Sequence, residues 1–468
     1  MSWVCALAIL TWAAEPVQVA PTDAGSPAAS GSKRGPLHDK RLQRTVRRVA
    51  SLVERLSGRQ FLVPPVVELA TEQAFGVMLR EESALINRAV HRDTAPELRE
   101  RIVREAHQGI LPGLLGKYGV FEDKLFLVAE NLREVATELG ESEADVVTLV
   151  LAHELVHALH DQHADLASLV ARLPDRDALW ALMATSEGLA NWVEGRLADE
   201  LGLGAVHEEM NRLQGWTEEG PLNPESFEIW SRYGLGSRMI AHHFAEGGLE
   251  RVWAVALAPP SLTRGLFRPE TWPSHRAPPA LDYASVLRGT EQLVTRGDWL
   301  VAISVLGEGP LFAEAYGAGD PARVDAVIGH IEEAWLLEAV RPDRQAQIRI
   351  VVFDGPDGPK DYLALLRDHD EGLADRLGTR LLREVDVTTE PFEQVDGDVA
   401  ARRTSMVEGL AGTRLERHSA WVVRGDTLVV VLTESFRPGL RLGWTIDSVF
   451  ARLQAARRGE PLPPPRRP

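Results

Sequence analysis

Residues 153–157 read His-Glu-Leu-Val-His. Around them Val146, Val147, Leu149, Val150, Leu151, Leu155, Val156 and Leu159 make an almost continuous apolar stretch. The pattern predicts a helix buried on most sides. Such a helix cannot carry two imidazoles and a carboxylate alone, because a buried polar group left unpaired costs free energy. A pair of core histidines beside a satisfied Glu would still need that compensation. Other parts of the chain must therefore deliver partners to this point.

On a helix, positions i and i+4 share one face. His153 and His157 can then hold one Zn2+ at ordinary Zn–N distances. Glu154 lies on the adjoining side, where it can act as general base on a water whose pKa zinc lowers to about 7. A third ligand must come from elsewhere, and two candidates compete. His163 completes a spacing in which a glycine normally turns the chain back toward the metal. Here His160 occupies that position and suits continued helix, which turns His163 away from the metal face. Glu187, within Ser186-Glu187-Gly188-Leu189-Ala190-Asn191 on the next predicted helix, is preferred. Asn191, one turn on, is expected to support a metal-bound His from behind. The small Gly188 and Ala190 are expected to let this helix approach the motif helix. His160 is expected near the site, on the cleft wall or hydrogen-bonded behind it, or else at the surface. Tyr233, His242 and His243 are candidates for donating a hydrogen bond to an oxyanion.

The rest of the chain frames this pair. Residues 3–14 form a short apolar run ending in small residues, which reads as a signal peptide with cleavage near Ala13 or Ala14, so the protein is expected to be exported. Residues 15–36 read as a disordered linker. A basic amphipathic helix is predicted over 37–57, an edge strand over 61–69, helices near 71–90 and 95–108, and a hairpin over 119–128. Ser142 should cap the motif helix, which must stop before Pro174. The next helix is predicted from about Asp177 to Leu201, with Gly202 as C-cap. Helices are expected within 225–257 and a Pro-rich loop over 258–280. Strands at 301–306 and 348–353, a helix at 361–377 and a hairpin at 420–432 mark a different second half. Arg424-Gly425-Asp426 reads as the turn of that hairpin. Gly355-Pro-Asp-Gly358 reads as turns, since its prolines lack the N–H groups a phosphate loop needs. His330, His369 and His418 are scattered and read as structural or exposed. Residues 458–468 read as a disordered tail.

Composition excludes other classes. Lys and Arg number 51 against 68 Asp and Glu, a net charge of −17. Nucleic-acid binding normally needs a basic stripe, so it is not expected. No apolar run reaches the roughly 18–20 residues of a membrane span. The single cysteine, Cys5, allows no disulfide framework or Cys-rich zinc site.

At His153-Glu-Leu-Val-His157-Ala-Leu-His160-Asp161-Gln162-His163 and Glu187-Gly188-Leu189-Ala190 the chain resembles gluzincin-type zinc metallopeptidases, in particular poorly characterised exported bacterial proteins. Gly109-Ile-Leu-Pro112, the 119–128 hairpin, Tyr233-Gly-Leu-Gly236 and Pro259-Pro260-Ser261-Leu262-Thr263 are also similar. The likeness covers about residues 105–275. Relatives usually carry Gln where this chain has His160. The resemblance implies zinc on His153, His157 and Glu187, with Glu154 as base. The expected fold class is α+β: a zincin-like, mainly helical catalytic domain with a small edge sheet over 37–280, then an α/β unit over 281–457. The expected activity is peptide-bond hydrolysis on a peptide or protein substrate. The alternative is an exported binding or structural protein that keeps the zincin fold and its zinc without catalysis. Neither substrate specificity nor oligomeric state follows from the sequence.

Overall fold

A computed structural model describes residues 39–90, 100, 114–217, 227–273, 281–294, 299–316, 321–341, 344–366, 382–391, 398–409, 414–434 and 441–465. The expected signal peptide, linker, the helix near 95–108 and His369 lie outside the described residues. The class is α+β, with a helical first half around a small sheet and a larger sheet in the second half.

The chain enters through α1 (Asp39–Ser57), whose Leu42, Val46, Val49, Val53 and Leu56 are all buried. Strand β1 (Val66–Ala70) and helix α2 (Glu72–Val90) follow. Strands β2 (Gly116–Gly119) and β3 (Lys124–Val128) form a hairpin whose first arm begins at Gly116, three residues before the expected start at 119. The sheet order is β1-β3-β2, with β1 parallel to β3 and both β1 and β2 at edges. Helix α3 (Ala129–Leu139) leads to α4 (Glu143–Ala164), the motif helix. Ser142 caps α4, its side chain accepting from the Asp145 N–H at 3.1 Å. Every residue from Val146 to Asp161 is buried, so α4 forms the centre of the first half.

Helix α4 stops earlier than Pro174 requires. Asp165 takes a left-handed conformation (φ 52°) and its side chain accepts from the Ser168 N–H, capping the short α5 (Leu166–Arg172). The long α6 (Arg176–Leu201) ends at Gly202, left-handed at φ 72° as a C-cap requires. After α7 (Gly204–Leu213), α8 (Phe227–Leu257) crosses α6 and bends sharply at Gly247 and Gly248.

That crossing explains two glycines. A Cβ on Gly188 would stand 2.2 Å from the Gly236 carbonyl carbon, and one on Gly236 would stand 2.1 Å from the Ala184 oxygen. Gly188 therefore serves the approach of α6 to α8, not, as expected, its approach to α4. Glu187 and Gly188 are adjacent, so about 100° of helix separates what they face.

The second half holds a seven-stranded sheet in the order β4-β5-β6-β10-β9-β8-β7. Its strands are β4 (Leu300–Val305), β5 (Ile331–Arg341), β6 (Arg344–Phe353), β7 (Leu382–Pro391), β8 (Val399–Gly409), β9 (Arg414–Arg424) and β10 (Thr427–Glu434). Every pairing is antiparallel, so the expected α/β unit is instead an antiparallel α+β one. Short hairpins such as Arg424-Gly425-Asp426 turn the chain straight back, whereas parallel pairs need a crossover. Alternate residues face opposite ways. Val351, Leu428 and Val430 join the core shared with the helical half, while Ile350, Val352, Val429 and Val431 pack on the closing helix, Arg441–Arg457.

Thr263 links the halves. Its hydroxyl donates to Asp177 in the first turn of α6 at 2.6 Å and accepts from the Gly309 N–H. The Pro-rich loop containing it carries two short helical turns, Arg264–Phe267 and Pro269–Thr271. Of the predicted 361–377 helix, the described part is helical over 358–366. The tail expected to be disordered from 458 is held as far as Pro465, because the buried Arg452 donates to the Pro463 carbonyl.

Candidate metal centre

Helices α4 and α6 lie side by side, and three side chains meet between them. His153 Nε2 and His157 Nε2 stand 3.1 Å apart. Glu187 Oε2 lies 3.0 Å from the first and 3.2 Å from the second. All three residues are buried. Ligand atoms about 2.0–2.1 Å from a tetrahedral zinc stand about 3.3–3.4 Å apart, close to this spacing. His163 takes no part: its Nε2 meets the Gln60 carbonyl at 3.0 Å.

The far nitrogens of both rings are committed. His153 Nδ1 lies 2.9 Å from Glu194 Oε2. A carboxylate only accepts, so Nδ1 carries the hydrogen. His160 Nε2 lies 2.9 Å from the Ala256 carbonyl and must donate. Burial lowers the His160 pKa to about 4, against the smaller opposing effect of the Ala256 bond. The ring is therefore neutral, and its Nδ1 accepts from the Ser186 hydroxyl at 3.3 Å. Ser186 Oγ in turn accepts from His157 Nδ1 at 3.1 Å. Both Nδ1 atoms thus hold hydrogens, which leaves both Nε2 lone pairs aimed at one point with a carboxylate oxygen.

Lone pairs brought that close repel one another unless positive charge sits among them. The electrostatics agree. Burial opposes charge on His153, but Glu187 and Glu194 outweigh it and raise the ring to about 10, so without a metal a proton on Nε2 supplies that positive charge. Burial also opposes charge on Glu187, yet the His157 charge and the bonds from both rings hold its carboxyl well below the usual range. The pocket favours a cation, and His2Glu is a donor set that suits a divalent metal.

Glu154 sits apart from this point, its Oε2 accepting from the Tyr118 N–H of edge strand β2 at 2.6 Å. The Tyr118 hydroxyl donates to Asp161 at 2.8 Å, clamping β2 to α4 a second time. Next to Tyr118, the buried Lys117 pairs with Glu82 at 2.9 Å. Burial lowers the Lys117 pKa, while Glu82, Glu154 and Glu187 pull it the other way.

Tyr233 comes to the site as expected, its ring stacked on His153 at 5.7 Å. His242 and His243 do not. Nine positions separate Tyr233 from His242, about two and a half turns, which puts them on opposite sides of α8. Asn191 is also not where the spacing suggested. It meets His207 at 3.3 Å, and the residue behind His153 is Glu194. Ser186, Glu194 and Tyr118 carried no motif. The short Ser-Glu pair before Gly188 was the one available hint for Ser186.

Two cavities flank the three ligands. One is lined by Gly116, His153, Glu154, Asn191, Glu194 and Tyr233 among others. The other is lined by His157 and Glu187 with the apolar Val120, Leu166, Leu182 and Met183 among others.

No protein-family model matches the chain, and no curated protein matches it. Among solved structures, a suspected hydrolase with a novel fold from Chloroflexus aurantiacus is similar at 16% identity and a TM-score of 0.38, over 50% of this chain and 88% of that one. A neighbour at that distance leaves the function to be read from the site itself: a buried His153, His157 and Glu187 able to hold a metal ion.

Proposed function

We propose that this chain is a zinc-dependent hydrolase of peptide bonds. The observation that carries the reading is the convergence of two Nε2 lone pairs and one carboxylate oxygen, with both Nδ1 hydrogens held from behind. His153, His157 and Glu187 would hold the ion, and three protein ligands leave a position open for chemistry. Zinc there supplies a lowered water pKa and polarises the substrate carbonyl.

The chain's own groups do the rest. Glu154 Oε2 is fixed by the Tyr118 N–H, which leaves Oε1 to take a proton from the attacking water and pass it to the leaving amine. Tyr233, at the wall of the cavity that holds His153 and Glu154, donates to the developing oxyanion. The apolar cavity beside His157 takes a hydrophobic side chain of the substrate. In this reading residues 37–280 form a zincin-like catalytic unit. The substrate is a peptide or protein met outside the cytoplasm, the export resting on the apolar run at residues 3–14.

Glu154→Gln should keep its metal and lose about 10²- to 10⁴-fold in turnover, and Glu187→Ala should lose the equivalent bound between α4 and α6. Metal content by mass spectrometry, with peptide-library cleavage with and without chelator, tests both. A Glu154→Gln protein that cleaves as fast as wild type, or a Glu187→Ala protein with full metal content, refutes the reading.

A further inference from the structure

We propose that the last turn before the bend in α8 is a second site for a divalent transition-metal ion, held by His242, His243 and Glu246. One donor atom from each residue lies within 4.8 Å of the other two. His242 Nε2 is 3.3 Å from Glu246 Oε1, and His243 Nδ1 is 3.6 Å from Glu246 Oε2. These separations bracket the roughly 3.4 Å between ligands of a tetrahedral ion.

The strongest observation is a buried imidazole that closes no hydrogen bond. His243 is 0% exposed, yet neither of its ring nitrogens has a hydrogen-bond partner. His242 Nε2 is buried and closes no hydrogen bond either, although Glu246 Oε1 lies 3.3 Å away. A buried polar group in that state costs free energy, and an ion at Nδ1 removes that cost for one of the two nitrogens. The His243 ring is already held in place, edge-on to Trp272 at 5.7 Å and to His242 at 5.3 Å.

The backbone favours a cation at the same place. The non-helical Gly247 and Gly248 end the first stretch of α8 just after Glu246. The carbonyls of that last turn form the negative end of the helix dipole. Arg251 already answers the same field, reaching Glu246 at 3.6 Å from beyond the bend. It also has a seat of its own over the Trp272 ring at 4.3 Å, so it can stay while an ion binds, although its charge weakens that ion. Two imidazoles and one carboxylate select zinc, cobalt, nickel or copper over calcium and magnesium, which take oxygen ligands. The His242 and Glu246 side chains are 35% and 43% exposed. The site therefore opens to solvent and binds more weakly than the enclosed group on α4 and α6.

The test is a Zn2+ titration of the chelator-stripped full chain, followed by calorimetry. Wild type should take up one more equivalent than either His242→Ala or Glu246→Gln, whose residual binding at this site should be more than about 100-fold weaker, beyond the usual effect of an outer partner. His157→Ala should lose the other equivalent and keep this one, so failure of one site is distinguishable from failure of the other. Both variants alter half-exposed side chains, and wild-type crystals give an independent reading. At saturating zinc an anomalous peak should lie between the three side chains. Equal stoichiometry in wild type and both variants, or no such peak, overturns the proposal.

Discussion

Behind His153 and His157 each Nδ1 has an acceptor, Glu194 or Ser186, and Ser186 is itself oriented by His160 and the Ala256 carbonyl. Behind His243, among the described residues, no acceptor orients the ring: neither nitrogen closes a hydrogen bond. The two His-His-Glu groups thus differ in how their atoms are held. The first draws its ligands from two helices and fixes their hydrogens from the far side. The second lies within one turn of one helix and depends on whatever reaches it from solvent. Orientation from behind is what turns a cluster of donors into a site that holds its metal tightly.

Variants can break or sharpen this contrast. The largest effect is expected from Gly188→Ala, which drives a Cβ into the Gly236 backbone. Overpacking against main chain should cost about 3 kcal/mol, the upper end for such changes. Urea unfolding should show the loss. Metal affinity at the first group should fall with it, because Glu187 is the adjacent residue, while the group on α8 keeps its geometry. Equal losses at both groups would mean that they are not independent.

A smaller effect is expected from Glu194→Ala. It leaves His153 Nδ1 without its acceptor and should weaken metal binding by about 10- to 100-fold. Glu194→Gln, whose amide oxygen still accepts, should recover much of that. Asn191→Ala should do little by comparison. A calorimetric titration in which Asn191→Ala is the more damaging change would restore the original assignment.

The smallest effect concerns His160, which is fully buried. Burial lowers His160 from 6.5 to about 4. In that window the unfolded chain takes a proton that the folded chain refuses. Stability is therefore lost as pH falls from 6.5 toward 4, by about 2 kcal/mol between pH 7 and pH 5. His160→Gln should remove that part of the slope, read as the difference in urea unfolding free energy between the two pH values. An unchanged slope would mean that His160 titrates alike in the folded and the unfolded chain.

Local features of the sequence proved legible where the physics is local. Ser142 and Gly202 cap their helices as predicted. Arg424-Gly425-Asp426 turns its hairpin, with Gly425 at φ 60°. His153, His157 and Glu187 meet because spacing along one helix sets two of them, and the third lies on the next helix in the chain. Glu194 was not legible. From Glu187 it is two turns on, and only the angle at which α6 crosses α4 makes it, and not Asn191 at one turn, the acceptor for His153. Gly188 was read as small for the sake of α4, but its neighbour is α8, a helix whose position no local pattern specifies. Tyr118 reaches Glu154 through a main-chain N–H, which leaves no trace in residue identity.

Residue order alone settled which helix carries the paired imidazoles, because apolar periodicity and one-turn spacing are properties of contiguous chain. Tertiary structure alone settled which hydrogens those imidazoles hold, which acids stand behind them, and that the second half pairs its strands antiparallel. Those depend on contacts between segments far apart in the chain, where crossing angle and register, set by packing over the whole core, determine which atoms come within about 3 Å of one another.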